Sequence, residues 1–290
     1  MTELVQHLLE LIRKTSTDLP HDVEQGLLKA REKEENGSTA EHILGQILEN
    51  VRLARASSIP ICQDTGTLNF FVRHPAAVSR RELSETIREA IRLATSRNYL
   101  RPNAVDSVTG LNSGNNLGGA HFPSIHFEEI QGDTLQFDLL LKGGGCENVG
   151  RQYALPDTRI GAGRDLDGVR KAALDAVMQA QGRGCAPGFL GIAIGGDRAV
   201  SYQAAKEVFL LDMDGHHPDP QIAALETRIT TEANQLGIGP MGLGGHSTIL
   251  RTRIVALHRL PASYFVTIAY MCWAYRKGSL RVSGGKAEYC

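Results

Sequence analysis

The sequence predicts a mixed α/β fold of the α+β kind: a helix-rich domain around a small mixed sheet, with a helical segment at its amino-terminal end. Two observations carry this prediction. Apolar residues recur at helical spacing through residues 1–57 and in several later stretches. Short runs of strand length lie between those helices, without the strict strand–helix alternation of a parallel sheet. No long linker or internal repeat interrupts the chain, so one domain over residues 1–290 is expected.

The amino-terminal segment, residues 1–57, predicts three helices. The first covers residues 1–17 and the second residues 21–35. A capping box at residues 38–41 opens the third, which runs to Arg55. Their apolar stripes imply that these helices pack on the rest of the domain.

The remaining elements follow from the same patterns. A second capping box, at residues 79–82, opens a helix. Residues 124–130 and 134–141 alternate apolar and polar positions around Gly132-Asp133, which favours an antiparallel hairpin. The other predicted elements are helices at 165–181, 197–211 and 220–236, and strands at 68–72, 189–194, 247–258 and 263–271.

Charge and composition exclude several classes of partner. The 290 residues include 31 basic and 32 acidic side chains, and a net charge of -1 does not favour binding to nucleic acid or to an anionic membrane. The first helix carries charges throughout and lacks the apolar centre of a signal peptide. The longest apolar run, residues 264–275, is too short to span a bilayer. A cytoplasmic protein is expected, in which the five cysteines remain thiols or bind metal.

The stretch Cys62-Gln63-Asp64-Thr65-Gly66 is the strongest chemical signal in the chain. A thiol, an amide and a carboxylate stand together on a turn between a proline and a glycine. This pattern is typical of a reactive site, although an ordinary loop with a buried thiol would also fit it.

The cysteines are spaced too widely for a local zinc site, because no CxxC pair is present. Cys62, Cys185 and Cys272 each stand at a loop or at the end of a predicted strand. Three thiolates on a four-iron cube leave one iron open to other ligands, so this trio is a candidate iron–sulfur site. Buried inert thiols are the alternative.

Other polar features are weaker signals. Arg101 precedes Pro102 and could present its guanidinium to a carboxylate, or be a plain surface arginine. The glycine run at residues 143–145 lacks the lysine of a phosphate-binding loop, but its amides could hold a carboxylate oxygen. The G-x-G-x-x-G pattern at residues 237–242 follows a helix and contains Pro240, which argues against dinucleotide binding.

Five motifs in this order resemble the iron–sulfur-dependent class I fumarate hydratases and the related L-tartrate dehydratases. They are Cys62-Gln63-Asp64-Thr65-Gly66, the run Lys142-Gly143-Gly144-Gly145, Cys185-Ala186-Pro187 ahead of residues 191–196, the glycine-rich residues 236–245, and Cys272-Trp273-Ala274-Tyr275-Arg276. The resemblance covers roughly residues 20–285. In size the chain resembles the separate alpha subunit, or the amino-terminal half of the fused enzymes.

This resemblance implies a [4Fe–4S] cluster on Cys62, Cys185 and Cys272, whose open iron binds a four-carbon dicarboxylate. It implies that Asp64 transfers a proton, that Gln63 and Arg101 bind substrate, and that backbone amides at Gly144 and Gly145 do so as well. The remaining catalytic groups of the family lie in a beta subunit. A partner of that kind is therefore expected, in a dimer of alpha–beta pairs.

The sequence departs from the family at Leu260, where a histidine is usual. The resemblance leaves the substrate open, with fumarate/malate favoured and L-tartrate as the alternative. Cys146 and the Cys272-Trp273 segment are more typical of tartrate dehydratases, whereas Glu147-Asn148 is more typical of fumarate hydratases. A cluster-bearing regulatory subunit without turnover is a third interpretation.

Overall fold

The structure is a computed structural model that describes residues 2–290. In that part of the chain, α-helices span Thr2–Thr17 (α1), His21–Lys33 (α2), Thr39–Ser57 (α3), Arg80–Ser96 (α4), Gly144–Asn148 (α5), Leu166–Ala180 (α6), Arg198–Glu207 (α7) and Pro220–Gln235 (α8). Strands span Thr67–Pro75 (β1), Ser124–Ile130 (β2), Leu135–Lys142 (β3), Arg151–Ala154 (β4), Gly188–Ile194 (β5), Ile249–Ala256 (β6), Phe265–Met271 (β7), Arg276–Ser283 (β8) and Lys286–Tyr289 (β9).

These elements confirm the predicted mixed α/β class, with 42% of the residues in helices and 24% in strands. Two mixed sheets are present where one was expected. The chain divides into two compact units. Unit 1 comprises residues 1–20, 49–144 and 274–290, and unit 2 comprises residues 21–48 and 145–273. The prediction of one catalytic domain over residues 1–290 stays a prediction.

Unit 1 is built on a five-stranded sheet in the order β2-β1-β3-β8-β9. Helices α1 and α4 cover it with apolar stripes whose buried residues include Leu8, Ile12 and Ile87. Phe70 on β1 and Phe137 on β3 are fully buried within the same core. The apolar spacing of the first helix therefore buries the face that its sequence predicts.

The predicted hairpin between β2 and β3 is wrong. The two segments are strands, but β1 lies between them, parallel to β2 and antiparallel to β3. The turn at Gly132-Asp133 therefore carries the chain across β1 to its far edge. Alternating apolar residues predict strands but not their partners, and β1 is buried along most of its length, as suits a central strand.

Unit 2 is built on a four-stranded sheet in the order β4-β7-β5-β6, in which only β5 and β6 pair in parallel. Helices α6 and α8 pack through buried residues such as Val169, Ala173 and Ile229 into a core shared with β5, β6 and β7. Every residue of β5 is buried, as its unbroken apolar sequence predicts. Within the described residues, no helix combines the length and apolar character needed to cross a membrane.

Candidate active site

The turn that begins at Cys62 leads directly into β1 and ends at Gly66, in unit 1. Gly66 has a φ of 81°, and a β-carbon at this position would lie 2.8 Å from the carbonyl carbon of Lys142. Only glycine allows both the left-handed backbone and this close approach of two chains. The glycine thus joins the start of β1 to the end of β3, where Thr67 pairs with Lys142.

Asp64 is held in place by two backbone amides. Its Oδ1 accepts a hydrogen bond from the Gly66 amide at 2.9 Å, and its Oδ2 accepts one from the Gly144 amide at 2.7 Å. The carboxylate is half-buried, while Gly144 is exposed. Hydrogen bonds from these two amides fix the orientation of the carboxylate. The Gly144 amide, which was expected to face a substrate carboxylate, therefore donates to Asp64 in this structure.

Arg101 is tied to the same turn through Thr65. The Arg101 amide donates to Thr65 Oγ1 at 3.2 Å, and the Arg101 carbonyl accepts from Asn116 Nδ2 at 2.6 Å. The Asn103 side chain also donates to Thr65 Oγ1, at 3.0 Å. The Arg101 side chain is exposed, as is that of Gln63. Unit 1 thus fixes the backbone beneath two polar side chains and leaves both in solvent.

A buried arginine received no role from the sequence. Arg276 opens β8 opposite Leu141 of β3, at the same end of the sheet as Asp64, and it is 1% exposed. The residue lies in the last of the five motifs, so the signal was present. What the sequence lacked was the long-range strand pairing that brings Arg276 beside the glycine run.

Two of the three cysteines of unit 2, Cys185 and Cys272, lie at one end of its sheet. Phe189 at the start of β5 pairs with Met271 at the end of β7. Cys185 precedes that start and Cys272 follows that end, so the two strands deliver both residues to the same edge. The Trp273 amide donates to the Cys185 carbonyl at 3.4 Å. Both thiol side chains are half-buried.

Cys146 is part of the same arrangement. It is buried, and its Sγ accepts a hydrogen bond from the Cys272 amide at 3.2 Å. The buried Tyr270 lies close enough to interact with the charges of Cys146, Cys185 and Cys272. Burial, followed by the negative charge that these thiols would carry, raises the pKa of Tyr270 well above its usual value. Unit 2 therefore brings together two of the predicted ligands and one thiol that was given no role.

The glycine-rich stretch at residues 237–245 supports this edge by packing. A β-carbon on Gly182 would lie 2.6 Å from the Met241 carbonyl oxygen, and the Met241 amide donates to the Ala186 carbonyl at 2.8 Å. These glycines allow two backbone segments to approach closely on either side of Cys185. Leu260, where the family usually has histidine, is 74% exposed.

The predicted metal ligands divide between the units, with Cys62 in unit 1 and Cys185 and Cys272 in unit 2. Among residues 2–290, no group of three or more histidine, cysteine, aspartate or glutamate side chains is arranged to hold a metal ion. All five cysteines are thiols. The assignment of individual residues to a metal and a substrate stays a prediction.

Comparison with known proteins decides the family. A family model described as fumarate hydratase (Fumerase) matches residues 5–281. The chain belongs to the fumarate hydratase family. This confirms the resemblance found in the five motifs.

Three relatives illustrate the range of the fumarate hydratase family. A Geobacillus stearothermophilus protein, provisionally named fumarate hydratase class I, is 46% identical over 99% of this chain and 56% of its own length. A Methanocaldococcus jannaschii protein, provisionally named L(+)-tartrate dehydratase subunit alpha, is 33% identical over 95% of this chain and 96% of its own length. The L(+)-tartrate dehydratase subunit alpha of Escherichia coli is 30% identical over 97% of this chain and 90% of its own length. The chain thus spans about half of one relative and nearly all of the two subunits.

Proposed function

We propose that this chain is the alpha-type part of a hydro-lyase that adds water to, or removes it from, a four-carbon dicarboxylate, with fumarate and malate as its substrates. The observation that carries this proposal is the Asp64 carboxylate, held by the Gly66 and Gly144 amides beside an exposed glycine. An oriented and half-exposed carboxylate is suited to move a proton to or from a carbon acid. The names of the relatives support the reaction class.

The residues of this chain divide the work of binding and proton transfer. Asp64 takes the proton next to a substrate carboxylate during dehydration and returns it during hydration. Arg101 and Gln63 flank the same turn and bind the polar ends of the substrate. Because Thr65 holds the Arg101 backbone, the guanidinium is presented from a fixed base, which lowers the entropic cost of binding. The exposed amide of Gly145 is a further donor for a carboxylate oxygen.

The chemistry of the cysteines fits the [4Fe–4S] cluster that the family implies. Cys185 and Cys272 are half-buried thiols at one sheet edge, and Cys62 is a half-buried thiol beside Asp64 in sequence. These three residues would hold the cluster, which when bound supplies a Lewis-acidic iron for the departing hydroxyl group. Cys146 instead orients the Cys272 main chain, since its sulfur accepts the Cys272 amide proton.

A second polypeptide completes the active site in this proposal. Two relatives that match this chain over nearly their whole length are named alpha subunits, and the third is almost twice as long as the matched region. We therefore infer a beta-type partner and an assembly of two alpha–beta pairs, located in the cytoplasm. We expect turnover to require that partner, because the resemblance places further catalytic groups of the family in the beta subunit.

L-tartrate is the second candidate substrate. Two features favour it: the names of two relatives, and Cys146, since the resemblance makes a cysteine at this position more typical of tartrate dehydratases. The higher identity to the fumarate hydratase relative favours fumarate and malate. The exposed Leu260 offers no hydrogen bond to either substrate.

An anaerobic assay tests the proposal and separates the candidates. The chain is produced with a beta-type polypeptide of the fumarate hydratase family, reconstituted with iron and sulfide, and supplied with malate, fumarate or L-tartrate. We expect interconversion of malate and fumarate, and none when either chain is omitted. Turnover of tartrate alone would establish the second candidate. A loaded complex that converts no hydroxy diacid would contradict the enzymatic proposal and favour a regulatory subunit.

A further inference from the structure

The guanidinium group of Arg276 in unit 1 has a donor that makes no hydrogen bond within the described residues. Its Nε donates to the Ala274 carbonyl at 3.2 Å. Its Nη1 is buried and has no hydrogen-bond partner among residues 2–290. Because the side chain is 1% exposed, bulk solvent does not replace the missing partner. A buried guanidinium with an unused donor is costly, and such groups normally face an anion.

The position of Arg276 shows where that anion would lie. Arg276 pairs with Leu141, two residues before Gly143. A β-carbon on Gly143 would lie 3.0 Å from Asp64 Oδ2 and 3.9 Å from Arg276 Nη2. Within the described residues, no direct ion pair joins Asp64 to Arg276. Because Gly143 has no side chain, none stands between Asp64 and Arg276 at this point.

The charges explain why this space suits a carboxylate. A substrate carboxylate beside Asp64 would place two negative groups close together, which disfavours binding. A buried guanidinium next to the same point offsets that repulsion. Its planar fork also matches the two oxygens of a carboxylate, which a lysine ammonium does not.

We propose that Arg276 binds the substrate carboxylate nearest to Asp64, at the point where Gly143 places no side chain between the two groups. This inference rests on the proposed function, which supplies the dicarboxylate. It assigns the opposite carboxylate of the substrate to Arg101. Arg276 is then a substrate-binding residue, and its charge allows Asp64 and a carboxylate to share one small space.

The test compares Arg276→Gln with Arg281→Gln in the complete complex with its beta-type partner. Arg281 is an exposed arginine on the same strand, so its variant controls for loss of one positive charge. The probe is succinate, a four-carbon dicarboxylate that cannot be dehydrated. We expect Arg276→Gln to raise the inhibition constant of succinate and the KM of malate by about 10- to 100-fold, as the loss of a charged hydrogen bond does. Arg281→Gln should change neither by more than about twofold.

Two further variants keep the test decisive if Arg276→Gln fails to fold. Arg276→Lys retains the charge without the fork and should weaken succinate binding less than the glutamine variant. Gly143→Ala retains both charged groups but fills the space between them, and should weaken succinate binding at an unchanged content of folded protein. Thermal unfolding of each variant without ligand reports whether the fold is intact.

Each outcome separates this inference from the proposed function. If Arg276→Gln turns over malate normally and its inhibition constant for succinate is unchanged, the role of Arg276 is overturned while the proposed function stands. If Arg276→Gln does not fold, the same result in Gly143→Ala and Arg276→Lys has the same meaning. If the parent complex converts no hydroxy diacid, calorimetry with succinate decides. Binding that is lost in these variants supports a dicarboxylate site without catalysis, whereas no binding to the parent overturns both proposals.

Discussion

Each of the two sheets of this protein brings functional groups together at one end, but the groups differ between the two sheets. In unit 1, the start of β1, the end of β3 and the start of β8 meet at one end of the sheet, and they gather a carboxylate, the two backbone amides that donate to it and a buried arginine. In unit 2, the start of β5 and the end of β7 meet at one edge, and they gather thiols around a buried tyrosine. Both ends depend on glycines at which another chain segment leaves no space for a β-carbon.

The difference between the two ends shows which physical property each one needs. The carboxylate end needs donors and charge balance, so its critical groups are amides and a guanidinium. The thiol end needs soft ligands in a shielded place, so its critical groups are half-buried sulfurs held by backbone hydrogen bonds. Changes at the first end should therefore affect substrate handling, and changes at the second should affect metal content.

The largest effect is expected at the carboxylate itself. Asp64→Asn retains the shape but removes the charge and the proton acceptor, so kcat of the reconstituted complex should fall by about 10²- to 10⁴-fold. One of the two amides, at Gly66 or Gly144, would also face the new amide nitrogen. Iron content should remain that of the parent protein. A variant that keeps kcat within tenfold of the parent would remove Asp64 from proton transfer.

A large effect on stability is expected at Gly66. Gly66→Ala forces a left-handed alanine against the Lys142 backbone, and we expect a loss of about 4 kcal/mol or more in the free energy of unfolding. The matched control is Gly110→Ala, at a φ of 71° with no atom within 4 Å, which should cost only about 1–2 kcal/mol. Urea unfolding of both variants measures the difference. Equal losses would mean that the close approach of β1 and β3 does not constrain the turn.

A smaller effect is expected at the thiol end. Cys146→Ala removes the acceptor of the Cys272 amide and leaves a small cavity, so the free energy of unfolding should fall by about 1–3 kcal/mol. Cys146→Ser keeps an acceptor atom and should lose less. Urea unfolding of the two variants checks the order. If alanine is tolerated as well as serine, the hydrogen bond to the sulfur contributes nothing to this edge.

The sequence predicts local features of both ends well and their assembly poorly. The Cys62 turn, the capping residue Ser79 and the buried β5 follow from short-range patterns, because turn chemistry, capping and apolar runs act over a few residues. The pairing of β1 between β2 and β3 does not follow, because it joins segments far apart along the chain. The position of Arg276 beside the glycine run does not follow either, because it depends on the long-range pairing of β3 with β8.

The site shows the same division. Cys185 and Cys272 could be singled out by their motifs, but the contact from the Cys272 amide to Cys146 depends on a helix and a strand end separated by 126 positions. The residues next to Asp64 in the sequence predict that it belongs to a reactive site. Its hydrogen bond from the Gly144 amide could not be predicted, because it depends on where the end of β3 lies in the folded chain.

The most direct test of the account is the iron and sulfide content of anaerobically prepared protein, measured for the parent, for Cys272→Ser and for the exposed control Cys290→Ser. We expect about four irons and four sulfides per chain in the parent and in the control, as a [4Fe–4S] cluster requires. We expect Cys272→Ser to lose most of its iron and most of its sulfide. Equal iron and sulfide in all three proteins, or none in the parent, would contradict the claim that the thiol end of unit 2 helps to hold a cluster.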